Sequence, residues 1–308
     1  MTSMQSSILG LIFVASVLLF AMASSEEENE QSGALQVCIV QDPLITEASG
    51  IAASRTMKNA VWMHNDSGDK PRIFLVDLDG TTRAIVNVNN VTATDWEDMC
   101  SFELDGDSWL LIGDIGDNGR VRGAKSPHCQ LLLLKEPRPA GIDHSKNVME
   151  TTVEVVRTIS FELPEGPENC ESLTVDSASR TIFLVTKTDP LHSALYSLPL
   201  TLTRGKEHLK AEKQASLAVP YATAMDISPD GRHLVVIDMF SGAMITRADP
   251  QSESWADACR NPVAVLILPK RKQGETVCFT ADGKSLLMNS EGVSQPLWQM
   301  DNPLFQLQ

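Results

Sequence analysis

The sequence predicts an all-β, single-domain chain folded as a five-bladed β-propeller, and three observations carry that prediction. A short pattern returns five times: a polar residue, an apolar β-rich run, a tight turn and a second apolar run. The copies begin at Ser49 (SGIAAS), Glu97 (EDMCSF), Glu171 (ESLTVD), Thr223 (TAMDIS) and Glu275 (ETVCFT). Their period is about 50 residues with one longer interval, and each period holds several short strands, as a propeller blade requires. The turns also carry the right chemistry. Ser228-Pro229-Asp230-Gly231 and Thr280-Ala281-Asp282-Gly283 put Asp-Gly where positive φ is needed, and the stretch from Glu103 to Asp107 does similar work in the second copy. Six blades is the alternative, with a degenerate copy inside a longer interval.

Each repeat divides into four strands, A to D, of roughly five residues rich in Val, Ile, Leu and Phe. In the first repeat these are residues 50–54, 61–65, 73–77 and 83–88. In the second, B is 109–113, C is 130–135 and D is 152–161. The third has B at 182–186, C at 194–198 and D near 214–219. The fourth has B at 233–238, C at 243–247 and D at 263–268. The fifth has B at 285–289 and C at 296–300, and no segment follows that could supply its D strand. Residues 34–40 (ALQVCIV) lie ahead of the first blade without a partner. They are expected to complete the last blade, which closes the ring and removes an open sheet edge. Residues 137–148 and 199–213 read as surface loops.

Residues 1–23 carry no charged side chain, and 8–22 (ILGLIFVASVLLFAM) is an unbroken apolar run before Ala21-Met22-Ala23. That is the pattern of a signal peptide cut after Ala23, and it predicts an exported protein, periplasmic or secreted. No Lys or Arg precedes the run, so an uncleaved N-terminal membrane anchor is the alternative. The expected organisation is a signal peptide (1–23), an acidic disordered leader (24–33), the propeller (34–303) and a short tail (304–308). No other segment reads as a membrane span.

The formal net charge is −15, and no basic cluster exceeds Lys270-Arg271-Lys272. Nucleic acid and anionic membrane are poor partners for such a surface; cations and neutral or basic ligands suit it better. Acidity that merely keeps an exported protein soluble is the competing reading. The six cysteines are scattered singly on predicted strands, with no CxxC, and read as mostly free, buried thiols.

In a propeller blade, strand A lines the axial channel and B returns beside it, so the start of A and the end of B share one face, about 4.8 Å apart. One mouth of the channel should therefore gather Glu97, Glu171 and Glu275, with Asp66, Asp114, Glu291 and Lys187 around them. Carboxylates about 5 Å apart repel by roughly 3 kcal/mol at an effective dielectric of about 20. Shared protons, a lysine or a bound cation can relieve that repulsion. An all-oxygen donor set suits Ca2+, whereas zinc would want a His or Cys cluster. The competing reading is that inner-ring glutamates bond the backbones of neighbouring A strands and tie the blades together. Two loops rich in Asp, Asn and Gly, from His64 to Asp69 and from Gly113 to Gly119, should rim the same mouth and offer Asn65, Asp117 and Asn118 to a ligand. They are also ordinary turn compositions. His64 is the one histidine placed there and the candidate base, with a satisfied structural histidine as the alternative. Trp62, Trp109 and Trp298 read as inter-blade packing, and Trp96 as a residue near the mouth. GxSxG, HExxH, P-loop and GxGxxG motifs are absent.

Taken in order, SGIAAS with HNDSG, DWED with GDIGDN and KEP, ENCESL with VTK, TAMDISPDGR, and GETVCF with SEG and PLW resemble the blade motifs of exported bacterial propeller proteins. That group is distantly similar to the esterase-like phytase, SdiA-regulated and SMP-30/gluconolactonase propellers. The likeness covers residues 47–300. It implies a divalent cation on the axis, usually Ca2+, held by Glu, Asn and Asp side chains, with Glu97, Glu171 and Glu275 at the matching positions. Ser49 and Thr223 depart from that pattern, as does the lack of an Asn-rich inner ring.

The leading expectation is a monomeric binding or scaffold propeller. Its acidic mouth would hold a divalent cation and a small polar ligand or cell-envelope component. The alternative is a metal-assisted hydrolase of a lactone, ester or phosphoester, with Glu171 or His64 as base. A purely structural cell-envelope protein is the third reading.

Overall fold

The computed structural model describes residues 32–122, 128–138, 148–187 and 191–305. The signal-peptide reading, the leader up to residue 31, the greater part of the 137–148 loop and the last three residues of the tail lie outside them. In chain order, β1 (Leu35–Ile39) precedes the first blade, β2 (Ala48–Ala53), β3 (Ala60–Asn65), β4 (Arg72–Asp77) and β5 (Thr82–Asn89). The second blade is β6 (Trp96–Leu104), β7 (Asp107–Asp114), β8 (Gln130–Lys135) and, beyond β9 (Met149–Glu154), β10 (Arg157–Glu162). The third is β11 (Cys170–Asp176), β12 (Thr181–Thr186), β13 (Ser193–Pro199) and, beyond β14 (Gly205–Lys210), β15 (Glu212–Leu217). The fourth is β16 (Ala224–Ile227), β17 (His233–Ile237), β18 (Ser241–Thr246) and β19 (Ala264–Ile267), with the short helix α1 (Trp255–Ala258) before β19. The fifth is β20 (Thr276–Phe279), β21 (Ser285–Asn289) and β22 (Pro296–Asp301).

The inner strands β2, β6, β11, β16 and β20 touch one another in that order, and β20 packs back on β2, so five blades close a ring. Closure is made by β1, which pairs antiparallel with β22, Leu35 opposite Gln299 and Ile39 opposite Pro296. The ALQVCIV segment has the β propensity to serve as the missing fourth strand, and it covers the only edge the fifth blade would leave bare.

Period-2 alternation builds the core. Trp62 faces the second blade and its neighbour Met63 faces the fifth, so each strand feeds two inter-blade clusters. Five such clusters fill the five inter-blade wedges. Each fully buried Leu, Ile, Val or Phe there contributes roughly 1.5–3 kcal/mol of transfer free energy. Trp62, Trp109 and Trp298 pack in these wedges. Each A-to-B turn carries a residue with positive φ: Asn59, Asp105 and Gly106, Arg180, Gly231 and Gly283. Glycine or Asn/Asp tolerates that backbone well; Arg180 is the exception.

Two sequence readings are corrected. The expected D strand at 152–161 is two strands: β10 completes the second blade, while β9 pairs parallel with β5 as a fifth strand of the first. The chain crosses from one sheet to the next inside an uninterrupted β-prone run, so composition shows no break. Residues 199–213, read as a loop, contain β14, which lies parallel to β10 on the edge of the second blade. Its sequence GKEHLK exposes one face and offers a single apolar side chain, Leu209, to the core, too weak an alternation to mark a strand; the pairing of its backbone holds it. Among the described residues no helix is long and apolar enough to cross a membrane. All six cysteines are free thiols, four of them buried.

Candidate functional site

The anchor column of the repeat sits at irregularities in the inner strands. Register shifts bracket Ser49, Glu97 and Glu171 at the starts of β2, β6 and β11. Thr223 and Glu275 fall one residue ahead of β16 and β20. A bulge re-aims a side chain that the pleat would otherwise send into a wedge. The result is an axial mouth of buried polar groups, with Glu97, Glu171 and Glu275 each 3–4% exposed.

These three carboxylates are strung together rather than spread evenly. Lys187, just beyond β12, donates to Glu171 Oε2 at 2.9 Å and to Glu275 Oε1 at 3.3 Å. Asn169 Nδ2 donates to Glu171 Oε1 at 2.7 Å, and Gln273 Nε2 to Glu275 Oε1 at 3.2 Å. At one end of the chain Glu97 lies within hydrogen-bond reach of Glu171, and Ser49 Oγ donates to Glu97 Oε2 at 3.4 Å. At the other end Glu291 reaches Glu275. Carboxyls in such contact share protons.

Burial, reinforced by Glu171, Asp66 and Asp95, holds the Glu97 carboxyl well above the usual range. Burial also raises Glu171, outweighing the opposing pull of Lys187. Glu291 is pushed up to about 8 by burial and its contact with Glu275, and Asp66 to about 6 by burial. Burial alone would depress Lys187; Glu171, Glu275 and Glu97 together hold it above its ordinary value.

Beside this chain, carboxylate oxygens of Asp66, Asp95 and Glu97 all lie within 4.8 Å of one another. Asp95 is fixed by backbone: its carbonyl accepts from Ile115 and Gly116, and its N–H donates to Asp114 Oδ1 at 3.0 Å. Gly116 has a reason to be glycine. A Cβ there would stand 2.2 Å from Glu97 Oε1 and 2.4 Å from Asp95 Oδ2. The donor set is all oxygen, which fits a hard divalent cation. The space between Glu171 and Glu275 is served by the ammonium of Lys187.

The remaining sequence-selected residues lie elsewhere or hold the scaffold. Asp114 is fully buried and turned away from the axis, paired with Arg122 Nη2 at 2.7 Å and Gln130 Nε2 at 3.1 Å. Asp117 accepts from the N–H groups of Val121 and Arg122 and donates its own N–H to Asn169, which folds the 113–122 loop. Asn65 spends its amide on Leu44, Thr46, Glu47 and Asp69. Asn118 is exposed on the rim and accepts from Asn169 at 3.1 Å. His64 is fully buried in the wedge between the first and second blades, edge-on to Trp96 at 5.4 Å. Its Nδ1 meets the Asn65 carbonyl at 2.9 Å, while Nε2 has no hydrogen-bond partner; the Asp98 backbone approaches without bonding geometry. Burial lowers this histidine to about 4. Trp96, expected near the mouth, is 1% exposed in the same wedge, because the bulge at Glu97 turns the strand.

Sequence reasoning missed Asp98 and Asp226, one layer deeper on the axis. Asp98 accepts from the N–H groups of Met99, Leu173 and Met225, at 2.8, 2.9 and 3.3 Å. Asp226 accepts from Ile227, from Thr174 Oγ1 and from Phe279 N at 2.8 Å. These aspartates perform the blade-tying that the ring glutamates were weighed for. An acid inside an apolar inner strand (EDMC, TAMDI) was the available signal. Around the mouth, Leu44, Val121, Leu191, Tyr221, Phe240 and Val293 stand exposed on loops at the same end of the blades.

No family profile matches the sequence, and no curated protein matches it. Among solved structures, the fold is similar to a gluconolactonase from Xanthomonas campestris (11% identity, TM-score 0.47, covering 87% of this chain and 89% of that one). It is similar to a PQQ-bound aldose sugar dehydrogenase from Streptomyces coelicolor (10%, TM-score 0.46, 87% and 97%). A chain of a nidogen/laminin complex also matches (13%, TM-score 0.42, 80% and 73%). Likeness at this level carries no argument about activity.

Proposed function

We propose that this propeller is an exported binding protein that takes a divalent cation, Ca2+ foremost, on Asp66, Asp95 and Glu97, and a polar ligand in the mouth above it. The observation that carries the reading is the convergence of three carboxylates within 4.8 Å, two of them packed against a glycine that a Cβ would displace. Burial raises all three, and neighbouring carboxylates add to the rise, the condition a bound cation relieves. When bound, the cation would supply a coordination point for a ligand oxygen. Lys187 would offer a hydrogen-bond donor beside it. The charge-free apolar run at 8–22 supports export, and a small molecule or cell-envelope component is the ligand such a location offers.

A second reading, hydrolysis of a lactone, ester or phosphoester, is favoured by one observation. Glu171 is a raised carboxylate oriented by Asn169 and Lys187, next to the three-acid group, and a base tuned upward suits proton transfer near neutral pH.

Calorimetric titration of the mature chain with CaCl2, MgCl2 and MnCl2 tests the first reading. One site is expected, abolished by Asp95→Asn and by Glu97→Gln. Absence of heat with all three salts, or survival of binding in both variants, ends it. A panel of lactones, aryl esters and phosphoesters tests the second; turnover that Glu171→Gln leaves intact would clear that residue.

A further inference from the structure

The connection from β19 to β20 contains the one basic run of the chain, Lys270-Arg271-Lys272, and the cation reading leaves it without a role. Arg271 is its unusual member. The residue is 8% exposed, and Nε, Nη1 and Nη2 are all buried without a hydrogen-bond partner among the described residues. Buried guanidinium groups in folded proteins are paired, because five N–H donors taken out of water cost several kcal/mol unless an acceptor replaces it. Among the described residues the acid that acts on Arg271 is Asp238, and its oxygens accept from other groups. Oδ1 accepts from the N–H groups of Phe240 and Ser241, and Oδ2 from Ser241 Oγ. Burial pulls Arg271 down to about 10, which leaves it charged at neutral pH.

The setting is also shaped for this side chain. A Cβ on Gly274 would lie 2.3 Å from Arg271 Cζ, so the guanidinium rests against a backbone that only glycine can present. Thr223 Oγ1 donates to the Gly274 carbonyl at 3.1 Å, which anchors that backbone to the fourth blade. Lys270 and Lys272 are exposed on either side, and Glu275 of the mouth follows Gly274 directly. Residues 268–275 form no strand or helix, and the Gln273 carbonyl holds them to the fifth blade by accepting from Glu291 N at 3.0 Å and Ser290 Oγ at 2.8 Å.

We propose that Arg271 is the receptor for an oxyanion, a carboxylate or a phosphate group, bound at the edge of the mouth between the fourth and fifth blades. The guanidinium fork would pair with two anion oxygens, with the exposed Lys272 attracting the anion from outside. A ligand carrying such a group could reach both this arginine and the acidic centre. The inference does not depend on the cation reading, and working in excess chelator keeps the two apart.

The test is thermal denaturation of the mature chain in EDTA, comparing sodium phosphate and sodium acetate, each against sodium chloride at equal ionic strength. One or both anions should raise Tm saturably, by about 5 °C at a hundredfold excess over the dissociation constant. Phosphate alone or acetate alone identifies the group. Arg271→Met should abolish the rise while melting no lower than the wild type in chloride, since it removes an unpaired charge. No rise in the wild type, or an equal rise in Arg271→Met, overturns the proposal. So does a large loss of Tm in Arg271→Met with no anion effect anywhere. If that variant does not fold, Gly274→Ala keeps the charge but displaces the guanidinium, and a rise that persists in it is equally fatal.

Discussion

Lys187 Nζ lies 2.9 Å from Glu171 Oε2, so the end of an inner hairpin delivers a cation to a carboxylate that starts the same hairpin. The same ammonium reaches Glu275, two blades away, at 3.3 Å. One lysine therefore neutralises part of a ring whose acids come from separate repeats.

Lys187→Met should make that repulsion visible. With chelator present, stability should fall by about 2–4 kcal/mol, because two largely buried carboxylates lose their counter-charge. Calcium should bind at least about tenfold more tightly than to the wild type, since a neighbouring positive charge is gone. Calorimetry and urea denaturation read both effects. Unchanged affinity would mean that the lysine and the cation do not sense each other.

Asp98 makes the strongest structural prediction. It joins N–H groups from the second, third and fourth blades, and Asp98→Ala would strand all three in the dry axis. A loss of roughly 3–5 kcal/mol is expected, seen as a lower urea midpoint at unchanged slope. A loss below about 1 kcal/mol would show that the ring closes without it.

The pH dependence of stability has a definite sign. Glu291 is raised to about 8 and Glu97 is raised as well, so the folded state holds protons that the unfolded chain has released. Stability from these groups is present at low pH and is lost as pH climbs toward about 8. His64, lowered to about 4, acts oppositely: its contribution is lost as pH falls below 6.5. The decline is therefore cleanest between 6.5 and 8, where His64 is neutral in both states. In metal-free buffer, wild-type Tm should drop across that window and Glu291→Gln should flatten the drop. A wild-type Tm that rises there would refute the assignment.

Closure by β1 predicts the effect of a truncation. A chain starting at residue 41 would expose the β22 edge and remove cover from the fifth blade. Broad, non-cooperative melting and aggregation are expected by calorimetry and light scattering. A sharp wild-type transition would show that the strand is dispensable.

Much of this was legible in residues. The polar anchor of each copy marks the start of an inner strand, and Asp-Gly marks its hairpin turn, because both are local requirements of backbone geometry. The segment 34–40 could be placed by elimination, as a β-prone run with no other partner. The split of 152–161 between two sheets was hidden, because a strand's apolar pattern does not say which neighbour it joins. Asp95 and Asp98 flank Glu97 within four residues, yet one joins the open three-acid group and the other the buried axis. Asp114 and Asp117 read as rim ligands until Arg122 and the loop amides are seen to take up their oxygens.

By itself, then, the sequence determined the repeat, the closing strand and the gathering of acids at one mouth, while the ring closure fixed five blades over six. The first three follow from periodicity, propensity and chain order, which are one-dimensional properties. Only the tertiary structure decided which acids keep free oxygens, which are neutralised by Lys187 or Arg122, and which tie the blades. It also left Arg271 buried without a hydrogen-bond partner among the described residues. Pairing and desolvation depend on distances of a few ångströms between residues from different blades, and a single chain order does not encode those distances locally.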